Sequence, residues 1–270
     1  MARSRAFLYA TMLASTLIPA SITPALAKQT VIIHGEDTYK PYCWEENGKY
    51  QGVYVDVIKQ AFSKLDDYEL ELKPVPWKRG LHLLETGEAF ALFPPYYYDD
   101  RRLFISPYSV PILDEKTILV CRKDVEMQNR PNWPKDYLGL TFGQTSGYLL
   151  GGDEFLALRD QGKVKISESP TAGQNLLMVM TDRIDCYIND ELAIYREINE
   201  IKHDEFYKKA LDNIEIGPVI SYEQGYLAYS GVNEWKRPYK EDFVKKFNQA
   251  ITQMKENGEI QKIIEKYKYE

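Results

Sequence analysis

PWKRGLHLLETGEAFALFPPYYYDDRRLFISPY, residues 76–108, is the stretch of sequence that decides the fold. Trp77 and Leu84 lie on one face of a short predicted helix, because the apolar residues recur at helical spacing. Gly87 ends this helix. The continuous apolar run 89–93 that follows has the length and composition of a strand buried on both faces of a sheet.

A polar and aromatic segment follows this strand. Pro94 and Pro95 stop the strand, because proline has no N–H to donate to a ladder. The strand therefore carries three tyrosines, two aspartates and two arginines, residues 96–102, at its carboxyl end. Ligands of open α/β sheets bind at this end of the strands. Solvated loops have a similar composition, so the stretch alone leaves both interpretations open.

The first 27 residues have the features of a secretory signal peptide. Arg3 and Arg5 precede an apolar run, and Ala-Leu-Ala at 25–27 is typical of a cleavage site. No cysteine follows the cleavage point to carry a lipid anchor, and no later segment has the apolar length of a membrane span. We therefore expect a soluble, exported protein in the periplasm that starts at Lys28 and has no stable membrane insertion.

Composition excludes several classes of function. The chain holds 40 acidic and 34 basic residues, and without a basic cluster it is a poor candidate for binding nucleic acid or anionic lipid. Three cysteines are too few for a disulfide framework, so we expect three buried thiols, with one bridge as the alternative. No group of residues has metal-ligand spacing, and we expect neither a metal nor a cofactor.

The order of predicted elements indicates the α/β class. Residues 31–93 are predicted as strand, helix, strand, helix and strand, which implies a mostly parallel sheet with right-handed crossovers. An aromatic loop is expected at 39–44. A second series begins with a strand at 139–143 and includes a strand at 184–188. Two helices close the chain, the first carrying Phe243, Phe247 and Ile251 on one face.

Short motifs along the whole mature chain carry a family resemblance. They are Tyr39 to Tyr42 around a proline, Gly52 with Asp56, the helix of Trp77, Glu85-Thr86-Gly87, Arg102 ahead of Ser106-Pro107-Tyr108, Asp185 with Asp190, and the ending 258–267. In this order and spacing, the chain resembles the periplasmic solute-binding proteins of the amino-acid-binding type, family 3.

The resemblance implies the type II periplasmic binding protein fold, with two α/β lobes, a central cleft and two hinge crossings. Lobe 1 would comprise residues 28–110 and 225–270, and lobe 2 residues 111–224. The expected function is to close over a small polar solute, an amino acid or a related zwitterion or carboxylate, and to deliver it to the membrane subunits of an ABC importer. A monomer is expected.

The family's ligand contacts can be placed on matching positions. Trp77 matches an aromatic residue that stacks on the ligand, although it also suits a core position of its helix. Tyr39 matches a second aromatic wall, with loop packing as the alternative, and Glu36 matches a polar contact. Tyr97 is a further candidate in the segment after the strand.

The resemblance also implies charged contacts. Arg102 matches the arginine that grips the ligand carboxylate through a two-pronged contact. Only three residues separate it from Ser106, fewer than is usual in the family, so Arg101 is an alternative. A solvated pair that balances neighbouring aspartates is the other interpretation of both arginines. Asp190 matches the carboxylate that receives the ligand ammonium, and it equally suits a helix N-cap.

Some positions depart from the family pattern. Thr145 and Tyr148 lie in the turn whose amides would face the ligand carboxylate, but Tyr148 stands where serine or threonine is frequent. Pro94 and Pro95 replace small hydroxyl residues. These departures predict a larger or more aromatic pocket. No catalytic residue is predicted, and a dehydratase-like enzyme or a sensor for a membrane receptor remain the alternatives on the same fold.

Overall fold

The computed structural model describes residues 27–205 and 207–267. The predicted signal peptide falls on residues 1–27, so all of it except Ala27 lies outside the described residues. The strands are β1 Gln29–Glu36, β2 Thr38–Tyr39, β3 Cys43–Glu46, β4 Lys49–Gln51, β5 Tyr68–Val75, β6 Ala91–Phe93, β7 Ile105–Tyr108, β8 Leu113–Arg122, β9 Thr141–Thr145, β10 Lys165–Ser169, β11 Cys186–Asp190, β12 Ile214–Gly225 and β13 Ala228–Ser230. The α-helices are α1 Val53–Phe62, α2 Trp77–Glu85, α3 Gly152–Asp160, α4 Ala172–Met180, α5 Glu191–Lys202, α6 Lys240–Glu256 and α7 Glu259–Tyr267.

The sheet of lobe 1 has the strand order β5-β1-β6-β13-β7. Its first three strands are parallel, with Val31 beside Leu70 and Ile33 beside Ala91. This confirms the parallel sheet predicted from the first strand–helix series. β13 joins it in the antiparallel direction and pairs with both β6 and β7.

A small antiparallel sheet, β2-β3-β4, stands where the sequence predicted an aromatic loop. That prediction was wrong for the ends of the segment, since Thr38 pairs with Trp44 and Tyr39 with Cys43. Aromatic and β-branched side chains suit a pleated surface, and the intervening proline hid that preference. The turn of the hairpin lies at 47–48, where both residues have positive φ.

The sheet of lobe 2 has the order β10-β9-β11-β8-β12. β9, β10 and β11 are parallel, and β8 runs antiparallel to both of its neighbours, β11 and β12. α4 and α5 pack on this sheet through Leu176 and Ile194, and Phe155 of α3 belongs to a second apolar cluster. The long strand β12 was not predicted, because its side chains are mostly exposed or half-buried and it lacks an apolar run.

A disulfide bond joins Cys121 and Cys186. The expectation of three buried thiols was therefore wrong, and only Cys43 is free. The bond forms because β8 and β11 are neighbours and the two cysteines face each other in their register, with Cα atoms 4.0 Å apart. The two cysteines are 65 positions apart along the chain, and the sequence gave no sign of this pairing.

The C-terminal helix α6 packs on lobe 1, as predicted. Phe243, Phe247 and Ile251 are fully buried in one cluster with Ile33 of β1 and Ile58 of α1. Burial of a large apolar side chain stabilises a fold by about 1.5–3 kcal/mol. The apolar face of α6 therefore contributes several kcal/mol to its packing against β1 and α1.

Two passages connect the lobes, between β7 and β8 and between β12 and β13. They lie side by side, since the Ile112 amide donates to the Gly225 carbonyl at 2.8 Å. We propose that the lobes divide at these passages, with 28–110 and 225–270 in lobe 1 and 111–224 in lobe 2.

Within the described residues, no helix is long and apolar enough to cross a membrane. The same residues contain no group of three or more His, Cys, Asp or Glu side chains arranged to hold a metal ion.

The disulfide gives a first prediction. Replacing Cys121 and Cys186 together by alanine should lower the free energy of unfolding by about 2–4 kcal/mol, because it removes a constraint on a long loop of the unfolded chain. Denaturant unfolding with and without a reductant measures this. Reductant should lower the midpoint of the wild type and of a Cys43→Ala control, but not that of the double variant. An unchanged wild-type midpoint in reductant would contradict the prediction.

Candidate functional site

A pocket lies between the lobes at the carboxyl ends of β1, β6 and β9. This is where ligands bind in open α/β sheets. Its lining includes a carboxyl, a guanidinium, four aromatic rings and two prolines: Glu36, Tyr39, Trp77, Pro94, Pro95, Tyr96, Arg102, Tyr148, Leu149 and Leu150.

Glu36 is the last residue of β1 and is only 2% exposed. Its carboxyl accepts a hydrogen bond from the Tyr148 hydroxyl of lobe 2 at 2.6 Å. Burial raises the pKa of Glu36 to about 8, and the Tyr148 hydrogen bond offsets only part of that rise. In the described part of the chain no basic side chain pairs with it. Glu36 is therefore mostly protonated at neutral pH.

Arg102 is 5% exposed and lies in the segment after β6. Its guanidinium sits over the Trp77 ring, 5.5 Å from the centroid, and its Nη2 donates to the Gly147 carbonyl at 3.3 Å. Among the described residues no carboxylate pairs with it, and burial lowers the pKa of Arg102. A guanidinium has five N–H donors, so most of its donor capacity is unused.

Trp77 begins α2 and lies both in an apolar cluster and in the pocket lining. It belongs to an apolar cluster with Leu84 and Leu92, and it also forms one wall of the pocket. Its indole N–H donates to the Gly147 carbonyl at 3.2 Å, and its ring meets Tyr148 edge to face at 5.8 Å. These contacts join the first turn of α2 to the turn after β9 in the other lobe.

Tyr39 forms a second aromatic wall of the pocket. Its hydroxyl contacts Glu115, a residue that the sequence analysis did not predict to lie near the site. This hydroxyl donates to Glu115 of β8 at 2.6 Å. The Tyr96 hydroxyl donates to the same carboxylate oxygen at 2.6 Å, and the Tyr54 hydroxyl donates to the other. Burial raises the pKa of Glu115 to about 8, a rise that nearby Asp190 adds to and the three hydroxyls limit. The alternating pattern of β8, in which Glu115 falls on its buried face, was the available signal.

Asp190 lies outside the lining of this pocket. It caps α5, since the amides of Leu192 and Ala193 donate to its Oδ1. The Tyr42 hydroxyl donates to Oδ1 as well, at 2.9 Å, and the Lys116 amide donates to Oδ2 at 3.2 Å. Burial raises the pKa of Asp190 to about 6. With three backbone amides and the Tyr42 hydroxyl as donors, the Asp190 carboxyl has its hydrogen-bond partners within the protein.

Three other predicted residues also lie away from the lining. Arg101 pairs with Asp160 of α3, with Nη1 and Oδ2 2.7 Å apart. Tyr97 is 52% exposed and packs against Tyr108. Thr145 is buried at the end of β9.

The turn at 146–148 already uses its backbone amides. The Ser146 amide donates to the Ser169 carbonyl, the Gly147 amide to Glu168 and the Tyr148 amide to the Thr145 carbonyl. The positive φ of Gly147 brings this turn against α2, within reach of Trp77 and Arg102. The turn therefore offers the pocket a carbonyl and a tyrosine side chain rather than free amides.

Comparison with known proteins identifies the family and the fold. The model of the family described as bacterial extracellular solute-binding proteins, family 3, matches residues 31–270. The chain belongs to this family. It has the two-lobed type II fold of periplasmic binding proteins.

Two curated proteins and a solved structure are similar to this chain. The probable amino-acid-binding protein YxeM of Bacillus subtilis is 25% identical over 84% of this chain and 79% of its own length. The L-cystine-binding protein TcyJ of Escherichia coli K12 is 25% identical over 88% of this chain and 82% of its own length. A structure from work on glutathione import via GshT and the cystine ABC importer TcyBC of Streptococcus mutans superposes with a TM-score of 0.69 at 19% identity, covering 89% of this chain and 95% of that one.

The contacts of Asp190 give a second prediction. Asp190→Ala should lower the free energy of unfolding by about 2–4 kcal/mol, since it removes an N-cap and leaves the buried Tyr42 hydroxyl without its acceptor. Denaturant unfolding measures the loss. Asp190→Asn is the matched control, because asparagine caps helices well and keeps an oxygen in place, and it should lose much less. Equal stability of the alanine variant and the wild type would contradict this account of Asp190.

Proposed function

We propose that the protein binds a small zwitterion, an amino acid or a close relative, in the pocket between Arg102 and Glu36. The observation that carries this proposal is the buried, unpaired guanidinium of Arg102 in the same pocket as the buried carboxyl of Glu36. A buried charge without a partner is costly, and an incoming carboxylate would remove that cost. A ligand ammonium would likewise remove the cost of burying an ionised Glu36 carboxylate.

The ligand carboxylate replaces the Gly147 carbonyl as the acceptor of Arg102. A carboxylate has two oxygens that match the guanidinium fork, whereas the carbonyl takes one N–H at 3.3 Å. Trp77 keeps the guanidinium stacked while this exchange occurs, so the arginine is held ready.

The ligand ammonium binds Glu36. An ammonium beside this carboxyl favours its ionised form, so binding displaces the proton that burial keeps there. The rings of Tyr39, Tyr96 and Tyr148 then surround the cation and the ligand side chain. In this assignment Glu36 takes the role that the family resemblance gave to Asp190.

The lobes must part to admit the solute. Tyr148 touches Glu36, and Lys78 of α2 pairs with Glu168 of lobe 2 at 2.8 Å, so the present contacts close the cleft. Hinge bending at the two passages between the lobes opens it, and a ligand that touches both lobes favours the closed form.

The names of the relatives support a role in solute import. One is named as an amino-acid-binding protein and another as an L-cystine-binding protein, and the structural study concerns import by an ABC importer. We propose that this protein works in the same way, as a monomer in the periplasm that delivers its solute to the membrane subunits of such an importer. The predicted signal peptide supports export.

The same pocket contains a group suited to acid–base chemistry. Glu36, with its pKa near neutral, resembles the general acids of enzymes. We nevertheless propose binding without catalysis, because among the residues that the structure describes no nucleophile and base are paired beside Glu36. Mass spectrometry of bound and recovered solute tests this, and it should return an unchanged mass. Steady conversion that stops in Glu36→Gln would overturn the non-enzymatic proposal.

The role of Arg102 is tested with matched neighbours. A thermal-shift screen of amino acids first finds the best solute, and calorimetry then measures its dissociation constant. Arg102→Gln should weaken binding by about 2–5 kcal/mol, the usual loss when one partner of a buried charge pair is removed. Arg101→Gln is the control, since that arginine pairs with Asp160, and it should bind within about threefold of the wild type. If Arg101→Gln weakens binding more than Arg102→Gln does, the proposed contact between Arg102 and the solute carboxylate is contradicted.

Proton release tests the role of Glu36. Below pH 8 the carboxyl must lose its proton before it accepts an ammonium, so affinity should rise by up to about tenfold per pH unit between pH 6 and 8. Calorimetry in buffers of different ionisation enthalpy should show close to one proton released per solute at pH 7. Glu36→Gln should bind more weakly and release about one proton fewer per solute than the wild type. Proton uptake by the wild type would contradict the assignment.

A further inference from the structure

Three tyrosine hydroxyls of lobe 1 converge on one carboxyl of lobe 2. Glu115 is 2% exposed, and it lies on β8, directly after the first passage between the lobes. Tyr39 and Tyr96 donate to its Oε2, both at 2.6 Å, and Tyr54 of α1 donates to its Oε1. We call Glu115 and these three tyrosines the tyrosine cage.

The cage meets the second passage between the lobes as well. Gly225 ends β12 there and forms a bridge with Tyr96. A Cβ at this position would lie 1.7 Å from the Tyr54 hydroxyl and 3.0 Å from Glu115 Oε1. Only glycine therefore leaves room for the Tyr54 hydroxyl to reach the carboxyl.

The cage is also part of the pocket. Tyr39 and Tyr96 line the pocket, while Tyr54 and Glu115 do not. The positions of two pocket walls thus depend on a carboxyl that the solute does not touch. We propose that Glu115 is a positioning residue for solute binding, which holds Tyr39 and Tyr96 in place from the hinge when it is ionised and releases them when it takes up a proton. This inference rests on the proposed solute site.

Hydrogen-bond capacity explains why the proton matters. An ionised carboxylate is an acceptor only and has room for all three hydroxyls. A protonated carboxyl must itself donate, so one tyrosine has to turn its own proton elsewhere. Tyr39 and Tyr96 are 3.4 Å apart at their oxygens, which is a long contact for a replacement bond. The neutral form is therefore less well satisfied than the ion.

The surroundings bring this change into an accessible pH range. Burial and the charge of Asp190 raise the pKa of Glu115 to about 8, against the effect of the three hydroxyls. No described basic side chain pairs with it. The other titratable groups whose charges interact with Glu115 or with its tyrosines are Glu36, Tyr42, Cys43 and Asp190.

The first experiment tests the tyrosine cage independently of direct solute contacts, because it changes Tyr54, which lies outside the pocket lining. Tyr54→Phe removes one donor to Glu115, so the carboxyl ionises less readily and the pocket walls lose their acceptor. At pH 7.5 it should raise the dissociation constant of the best amino acid by about fivefold or more. Tyr229→Phe is the matched control, because Tyr229 is a fully buried lobe 1 tyrosine whose hydroxyl has no hydrogen-bond partner in the described structure. Its affinity should match that of the wild type.

The second arm needs no solute. NMR of the protein labelled with ¹³C at the tyrosine ring carbon that bears the hydroxyl should show Tyr39, Tyr54 and Tyr96 shifting together with one midpoint near pH 8. Glu115→Gln should abolish that shared step, while Asp114→Asn, an exposed neighbour on the same strand, should keep it. In Tyr54→Phe the midpoint of the two remaining tyrosines should rise. If Glu115→Gln does not fold, this rise carries the same test.

Two outcomes would overturn the inference: Tyr54→Phe binding as tightly as Tyr229→Phe, or three tyrosines that titrate independently. If no solute binds the wild type, the proposed function has failed, and the cage is then judged on the solute-free arm alone. A shared step that Glu115→Gln abolishes supports the cage in that case, and its absence refutes it.

Discussion

The guanidinium of Arg102, buried without a carboxylate partner among the described residues, is the constraint on which the proposed binding site depends. Removing a charged group from water costs several kcal/mol, and the aromatic face of Trp77 with one carbonyl offsets only part of this. The fold keeps the guanidinium there because the segment after β6 is fixed by its own turn, in which the Arg102 amide donates to the Tyr98 carbonyl. A ligand carboxylate that pairs with this guanidinium would offset the remaining cost of its burial.

The same region holds three buried carboxyls, and each is bonded to tyrosine across the gap between the lobes. Tyr148 donates to Glu36 and Tyr42 to Asp190, and the three tyrosines of the tyrosine cage donate to Glu115. Tyrosine suits this task because its ring packs like an apolar residue while its hydroxyl reaches a polar partner. Hydrogen bonds therefore cross between the lobes at both the hinge and the pocket, and opening the cleft must break some of them.

Much of the fold was predictable from local pattern. The apolar run 89–93 became the buried strand β6, although only 91–93 pair, and Phe243 and Phe247 marked the helix that returns to lobe 1. Less was visible where long-range pairing decides the outcome. The Cys121–Cys186 bond depends on the register of two strands that are far apart in sequence, and β12 is held by its pairing with β8 rather than by its own apolar pattern.

The site was predictable in its chemistry and less so in its geometry. Glu36, Tyr39, Trp77, Arg102 and Tyr148 meet at one pocket, whereas Asp190 meets backbone amides and a tyrosine. Sequence shows that an aspartate follows a strand, but not whether neighbouring donors will occupy it. Glu115 was overlooked because a single acidic residue in a strand normally faces water, and only three incoming hydroxyls make its burial tolerable.

A crystal structure of the protein with its tightest-binding solute tests the central claim most directly. We expect two hydrogen bonds from the Arg102 guanidinium to the solute carboxylate, with the Gly147 carbonyl displaced, and the solute ammonium within hydrogen-bond distance of Glu36. A solute whose carboxylate lies elsewhere while Arg102 still donates to Gly147, or whose ammonium contacts Asp190 instead of Glu36, would contradict it.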